Sequence, residues 1–202
     1  MKSEKNNIKY PCEFEEDVFI NEKSANYKGR CDFNNRPDDE KSYKKFYDKH
    51  LFRYSLKCKI QEKGEPITVI LMNPSYADEY GLDSTLCNVK KFLEDQKIFS
   101  EFEVLNIFPI RTPDSSKLVE LMKKYSKYQK VNDEYIKKAL NKSKKVLIAW
   151  GSKYHSHAKW IFEILKNKEV YTYCAKNKNG SPKHFVPQVY NRATKKLQKY
   201  EF

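Results

Sequence analysis

The sequence predicts an α/β protein: a three-layer sandwich on a mostly parallel central sheet, carrying a polar N-terminal extension. Two continuous apolar runs, Ile67-Thr68-Val69-Ile70-Leu71-Met72 and Lys145-Val146-Leu147-Ile148-Ala149-Trp150, have the length and character of strands buried on both faces. Between and after them, apolar residues recur at helical spacing, so strands and helices alternate as βαβ units require. The length of 202 residues suits one compact domain.

Along the chain, residues 1–50 are polar and punctuated, as in Asn34-Asn35-Arg36-Pro37-Asp38-Asp39, and read as an accessory extension with a helix near Ser42 to Lys49. Residues 51–202 form the α/β domain. Tyr54 to Ile60 alternates with period two and predicts an edge strand, Lys63-Gly64-Glu65-Pro66 predicts a turn, and Ile67 to Met72 predicts a buried strand. Leu86 to Gln96 places Leu86, Val89, Phe92 and Leu93 on one helical face, and Phe102 to Phe108 predicts the next strand. A helix opens at Ser115 and runs through Leu118, Leu121 and Met122, and another covers Asp133 to Asn141. The strand Lys145 to Trp150, the helix His157 to Leu165 and a last strand Val170 to Ala175 complete the pattern. Lys195 to Lys199 reads either as a solvated helix face or as a phosphate contact.

Composition narrows the function. Forty basic against 27 acidic residues leave a net charge of +13, and aromatic residues are too plentiful, at 14%, for a disordered chain of such charge. The surplus makes nucleic acid the first partner to consider. Only Arg30, Arg36, Arg53, Arg111 and Arg192 are arginine. Lysine is a point charge that tracks phosphates more readily than it reads bases, and an AT-rich codon bias accounts for part of the excess. No run approaches the roughly 18 apolar residues of a membrane span, and the N-terminal residues lead into no signal-peptide core, so a cytoplasmic protein without a membrane partner is expected. The five cysteines are scattered without a CxxC pair, which predicts reduced thiols and neither a disulfide framework nor a zinc site. A monomer without metal or cofactor is expected.

In open α/β sheets ligands bind beyond the carboxyl ends of the strands. Four segments there carry the unusual residues: Met72 to Thr85, Asn106 to Pro113, Trp150 to Lys153, and Gly180 to Pro187 with His184. The expectation is that they ring one pocket. Each has a plainer reading. Asn73-Pro74 can be a turn, Asp83 can cap the helix that follows it, Trp150 can be core packing, and His155 with His157 can be exposed residues at a helix start whose i, i+2 spacing does not share a face.

Leu71-Met72-Asn73-Pro74-Ser75, Ala77-Asp78, Asp83, Thr85, Asn106-Ile107-Phe108 with Arg111, Asn132-Asp133, Ala149-Trp150-Gly151 and Gly180 through His184 together resemble an uncharacterised bacterial domain family with an MLNPSTAD-type motif. More distantly, the chain is similar to the uracil-DNA glycosylase superfamily: Asn73-Pro74 resembles its first motif, Val104-Leu105-Asn106 its base-reading strand, Val146 to Ser152 its Leu-Trp-Gly-type strand, and His184 its late loop. The late loop departs from the usual His-Pro-Ser-Pro by reading His184-Phe185-Val186-Pro187, and Ser75 stands where glycine is usual.

The resemblance implies a monofunctional DNA glycosylase that takes double- or single-stranded DNA as its partner, flips a modified or damaged base into a pocket and hydrolyses its N-glycosidic bond, in repair or in defence against viruses with modified DNA. Asn73 would hold the water through its carbonyl oxygen, Asp78 or Asp83 would act as general base, and His184 would stabilise the leaving base. Asn106 would read the base edge, and Tyr76 or Phe108 would stack on it. Ser75, Arg111, Ser152, Lys153 and Lys183 are the expected phosphate contacts, with Lys176 and Lys178 along the same track. Two alternatives keep the pocket without this chemistry: a non-catalytic nucleic-acid-binding protein, and a hydrolase or transferase of free nucleotides.

Overall fold

The computed structural model describes residues 11–15, 25–28, 52–74, 82–112, 114–191, 193 and 196–202, the first two segments as backbone only. Eight strands form one sheet in the order β2-β1-β3-β5-β4-β6-β7-β8. They are β1 (Pro11–Glu15), β2 (Ala25–Lys28), β3 (Ser55–Lys59), β4 (Glu65–Leu71), β5 (Phe99–Asn106), β6 (Lys145–Ile148), β7 (Glu169–Thr172) and β8 (Gln198–Lys199). The four middle strands β5, β4, β6 and β7 run parallel, and every pairing outside them is antiparallel. The class is α/β, and the sheet is mixed, parallel at the centre and antiparallel on both flanks.

Five helices are described: α1 (Ser84–Gln96), α2 (Leu118–Lys124), α3 (Ser126–Lys142), α4 (Lys159–Leu165) and α5 (Pro187–Tyr190), with 3-10 turns at Ser115–Lys117 and His155–Ala158. Strand alternation sorts the core into two layers. Ile67, Val69, Leu71, Phe102, Val104 and Leu147 point to the face covered by α1 and α5, where Leu86, Val89, Phe92, Leu93 and Tyr190 meet them. Ile70, Leu105, Val146 and Ile148 point to the opposite face, against Leu118, Ile136, Leu140, Ile161 and Leu165 of α2, α3 and α4. The sandwich is therefore three-layered.

The connections place the site. From β4 the chain crosses through α1 to β5 on one side, then returns through α2 and α3 to β6 on the other side of β4. β4 and β6 are neighbours whose outgoing loops leave toward opposite faces, and this topological switch opens a crevice beyond their carboxyl ends.

Several expectations change. The segment around Tyr54 to Ile60 is not an edge: β3 lies between β1 and β5, with Cys12 opposite Cys58 and Leu56 opposite Val104. Residues from the N-terminal extension thus extend the same sheet. Gln198–Lys199 is not a helix face but a short edge strand on β7, with Thr172 opposite Gln198. The helix expected from Asp133 begins seven residues earlier, at Ser126. The helix near residues 42–49 lies outside the described residues. No helix among the described residues is long and apolar enough to cross a membrane.

Candidate functional site

A cavity of about 390 Å³ opens at the carboxyl ends of the parallel strands. All four expected loops contribute to its wall: Asn73 follows β4, Thr112 and Ser115 follow β5, Trp150, Gly151, Ser152 and Lys153 follow β6, and His184 and Val186 follow β7. The N-terminus of α1 adds Asp83, Thr85 and Leu86, and the lead-in to β3 adds Arg53.

Asn73 ties two of these loops together. Its Nδ2 donates to the carbonyls of Pro74, at 2.9 Å, and of Thr112, at 2.8 Å. Two carbonyls facing one end of the amide fix that end as the NH2. Oδ1 is consequently held as an acceptor on a side chain in the cavity wall, the role needed to orient a water molecule.

Asp83 does what its plainer reading predicts. It is the N-cap of α1, with Oδ1 accepting from the Leu86 amide at 2.9 Å, and the residue is 8% exposed. A carboxylate has more acceptor capacity than one capping bond consumes, so the cap and the cavity can use the same side chain.

His184 is held by its backbone and left open at its ring. The Tyr173 hydroxyl donates to its carbonyl at 2.6 Å, and burial pushes that phenol's pKa up, which keeps the donor protonated. Asn177 braces the same loop through Ser181 Oγ at 3.0 Å and the Pro182 carbonyl at 3.2 Å, and the Tyr200 hydroxyl holds the Gly180 carbonyl at 2.8 Å. Nδ1 of His184 is buried and meets no hydrogen-bond partner among the described residues. Burial lowers the imidazole pKa, and the nearby Asp83 charge opposes this only in part, so the ring is neutral at pH 7. A neutral ring can donate one hydrogen bond to charge that develops on a leaving group. Gly151 lets the loops come this close: its φ is +82°, and a Cβ there would stand 3.4 Å from His184 Cβ.

The remaining expected residues are divided. Ser152 and Lys153 are exposed in the cavity wall, and Lys183 flanks His184. Lys176 and Lys178 are exposed on the preceding turn. Asn106 is fully buried at the end of β5 and is not in the described lining. Phe108 is committed to the core rather than to stacking in the cavity, because its ring packs edge-on against Tyr154 at 5.2 Å and against His157. Arg111 is 6% exposed and outside the lining. Arg53 supplies the arginine of the wall; no local pattern marks it, because β3 reaches the site only through its antiparallel pairing with β5. Ser75, Tyr76 and Asp78 lie outside the described residues. His155 accepts a hydrogen bond from Trp150 Nε1 at Nδ1, 3.2 Å away, while His157 is exposed. No cluster of three or more His, Cys, Asp or Glu side chains suited to a metal occurs among the described residues.

Residues 53–185 match a family model described as a protein of unknown function, DUF1643. The chain belongs to this family. The DUF1643 match runs from the cavity arginine to the residue after His184, so it holds nearly the whole described wall and leaves out β1, β2, α5 and β8. No curated protein and no solved structure matches the chain.

Proposed function

We propose that this protein is a DNA glycosylase, with the fold and site order of the uracil-DNA glycosylase superfamily, that hydrolyses the N-glycosidic bond of a flipped modified or damaged base. The observation that carries the reading is the shared cavity wall of Asn73, Asp83 and His184, with the Asn73 amide turned so that its carbonyl oxygen is an acceptor and the His184 ring neutral.

In this reading the Asn73 oxygen orients a water molecule toward C1′ of the sugar. The water oxygen bonds to C1′ as the C1′–N bond breaks and leaves its electron pair on the base. Asp83 takes the water proton, and the developing negative charge on the base accepts a hydrogen bond from His184. Proton return from Asp83 to solvent and protonation of the base anion close the cycle. Asp78, if turned inward, would compete with Asp83 for the role of base.

Charge supports a nucleic-acid substrate. Lys153 in the cavity wall and Lys183 next to His184 have no carboxylate within ion-pair distance among the described residues, and neither do the exposed Lys176 and Lys178 on the turn after β7. The biological setting would be DNA repair or defence against viruses with modified DNA, in the cytoplasm. One observation favours hydrolysis of a free nucleotide instead: the Arg53 guanidinium in the cavity wall could receive a terminal phosphate.

Mass spectrometry of bases released from uracil-containing, deaminated, hydroxymethylated and glucosylated DNA tests both readings when free nucleotides are assayed beside them. Release of one base from DNA, reduced about 10²–10³-fold by Asn73→Ala and by His184→Ala, is the expected result. No release from any DNA by folded, DNA-binding protein would overturn the glycosylase for those substrates, and release from nucleotides alone would install the alternative.

A further inference from the structure

The last strand lies outside the family match and yet reaches the loop that carries His184. β8 needs no tyrosine hydroxyl to stay on the sheet, because its backbone pairs with β7 and the Tyr200 amide donates to the Val170 carbonyl at 2.7 Å. The buried Tyr200 ring is held by three groups: Phe162 of α4 stacks on it at 6.0 Å, Phe202 meets it edge-on at 5.4 Å, and Lys176 Nζ stands 4.8 Å from its centroid. Lys176 also donates to the Glu201 carbonyl at 2.6 Å, which fixes the chain just beyond the ring. A ring held in this way has one place for its hydroxyl, and that hydroxyl donates to the Gly180 carbonyl at 2.8 Å. Burial raises the phenol's pKa, so the donor stays protonated.

Gly180 is a point of that loop at which little packs. Its φ is +80°, and a Cβ built there would meet nothing within 4 Å. The turn is closed on itself: the Gly180 amide donates to the Asn177 carbonyl and the Asn177 amide to the Ser181 carbonyl, both at 2.9 Å, and Asn179 Oδ1 accepts from Ser181 Oγ at 2.7 Å. Those bonds shape the turn from within. Tyrosine hydroxyls tie the ends of the segment that follows to the sheet: Tyr200, beside β8, holds the Gly180 carbonyl, and Tyr173, one residue beyond β7, holds the His184 carbonyl at 2.6 Å. The segment from Gly180 to His184 hangs between them, and His184 at its end lines the cavity.

We propose that Tyr200 is a positioning residue for His184: its hydroxyl fixes the Gly180 end of this segment as Tyr173 fixes the other, and so it sets where the His184 ring stands in the cavity wall. A hydrogen bond offered to charge that develops during a reaction is sensitive to such placement. The inference rests on the reading of His184 as the group that meets the leaving base. It adds a residue from outside the family match that contributes nothing to the described wall itself.

Two measurements on the full chain test it. The first needs no ligand. In an NMR titration the His184 ring signals, identified by their loss in His184→Ala, shift in Tyr200→Phe, and their apparent pKa moves up toward the ordinary histidine value as water reaches the loosened loop. Tyr200→Phe keeps the stacked ring and the pairing of β8. Lys176→Met, which frees the chain beyond the ring and keeps the hydroxyl, moves the same signals less and carries the test if Tyr200→Phe fails to fold. Unmoved His184 signals would overturn the proposal. The second is a double-mutant cycle on base release. Tyr200→Phe should lower kcat about tenfold at nearly constant KM, and should have no further effect in a His184→Ala background. Full release by Tyr200→Phe, or an equal loss in both backgrounds, means that Tyr200 does not act through His184, and the proposal fails while the site reading stands. If no base is released, or if His184→Ala releases it at full rate, the leaving-base role of His184 fails and the proposal goes with it.

Discussion

The two ends of the parallel sheet are both rich in lysine and differ in what lies beside the charge. At the amino end some lysines are matched with carboxylates, Lys145 with Glu65 and Glu169, Lys59 with Glu62, Lys166 with Glu163, and, along α1 and α3, Lys90 with Glu94 and Lys137 with Glu134, while Lys63, Lys97, Lys142, Lys144 and Lys168 are in no ion pair among the described residues. At the carboxyl end Lys117 is matched with Asp114, whereas Lys153, Lys176, Lys178 and Lys183 have no such match among the described residues, and the strand-end loops there form a cavity. Exposed pairs of the first kind contribute little stability, about 0–1 kcal/mol each. The difference teaches that net charge alone does not locate a partner surface; charge beside a cavity narrows the choice.

The most forceful way to break this comparison is to remove equal charge from each end. Replacing Lys153, Lys176, Lys178 and Lys183 by glutamine should make DNA affinity less salt-dependent by about 3–4 in log–log slope, a loss of roughly a hundredfold in salt sensitivity between 50 and 200 mM. Replacing Lys59, Lys137, Lys145 and Lys166 instead, at the same change in net charge, should leave the slope nearly unchanged. Equal slopes in fluorescence anisotropy titrations would show that the polarity has no bearing on binding.

A smaller effect is expected from the backbone of the carboxyl end. Gly151→Ala places a Cβ at φ +82° beside His184, which should cost about 1–2 kcal/mol in denaturant unfolding and about tenfold in base release. Loss of stability with full activity would separate Gly151 from the placement of His184.

Acid sharpens the contrast further. Burial lowers the pKa of His184, so as pH falls the unfolded chain gains its proton first, and stability declines from the ordinary histidine value down to the lowered one. His155, also lowered mainly by burial, adds a term of the same sign. His184→Gln should therefore flatten, and His184→Gln with His155→Gln should nearly abolish, the histidine part of the fall in Tm between neutral and mildly acidic pH. The smallest effect belongs to the amino end, where Lys97 ends α1 in the left-handed region at φ 60°. Lys97→Gly should raise stability by about 1 kcal/mol and leave base release unchanged.

Local pattern made much of this architecture legible. The runs at Ile67 to Met72 and Lys145 to Trp150 became β4 and β6 because strands buried on both faces need no alternation. Leu86, Val89, Phe92 and Leu93 fall on one face of α1 because their spacing matches its turn. The strand-end rule then put Asn73, Ser152, Lys153 and His184 into one wall. Where pairing or burial is decided by distant chain, pattern was silent or misleading. β3 looks like an edge because half of it is polar, yet β1 covers that side. Phe108 and Arg111 follow the correct strand and turn inward, whereas Arg53, 20 residues before Asn73, arrives from the neighbouring antiparallel strand.

The sequence by itself determined the class of the fold, the order of its middle elements and the four loops from which a site could be made, because hydrophobic period and turn residues act over a few residues. Only the tertiary structure decided which face of Asn73 is the acceptor, that the Asp83 cap also stands in a cavity wall, that His184 is neutral, and that Asn132 and Gln129 reach the end of β5. Each of these depends on carbonyls or buried surface supplied by chain dozens of residues away, and such partners have no period to read.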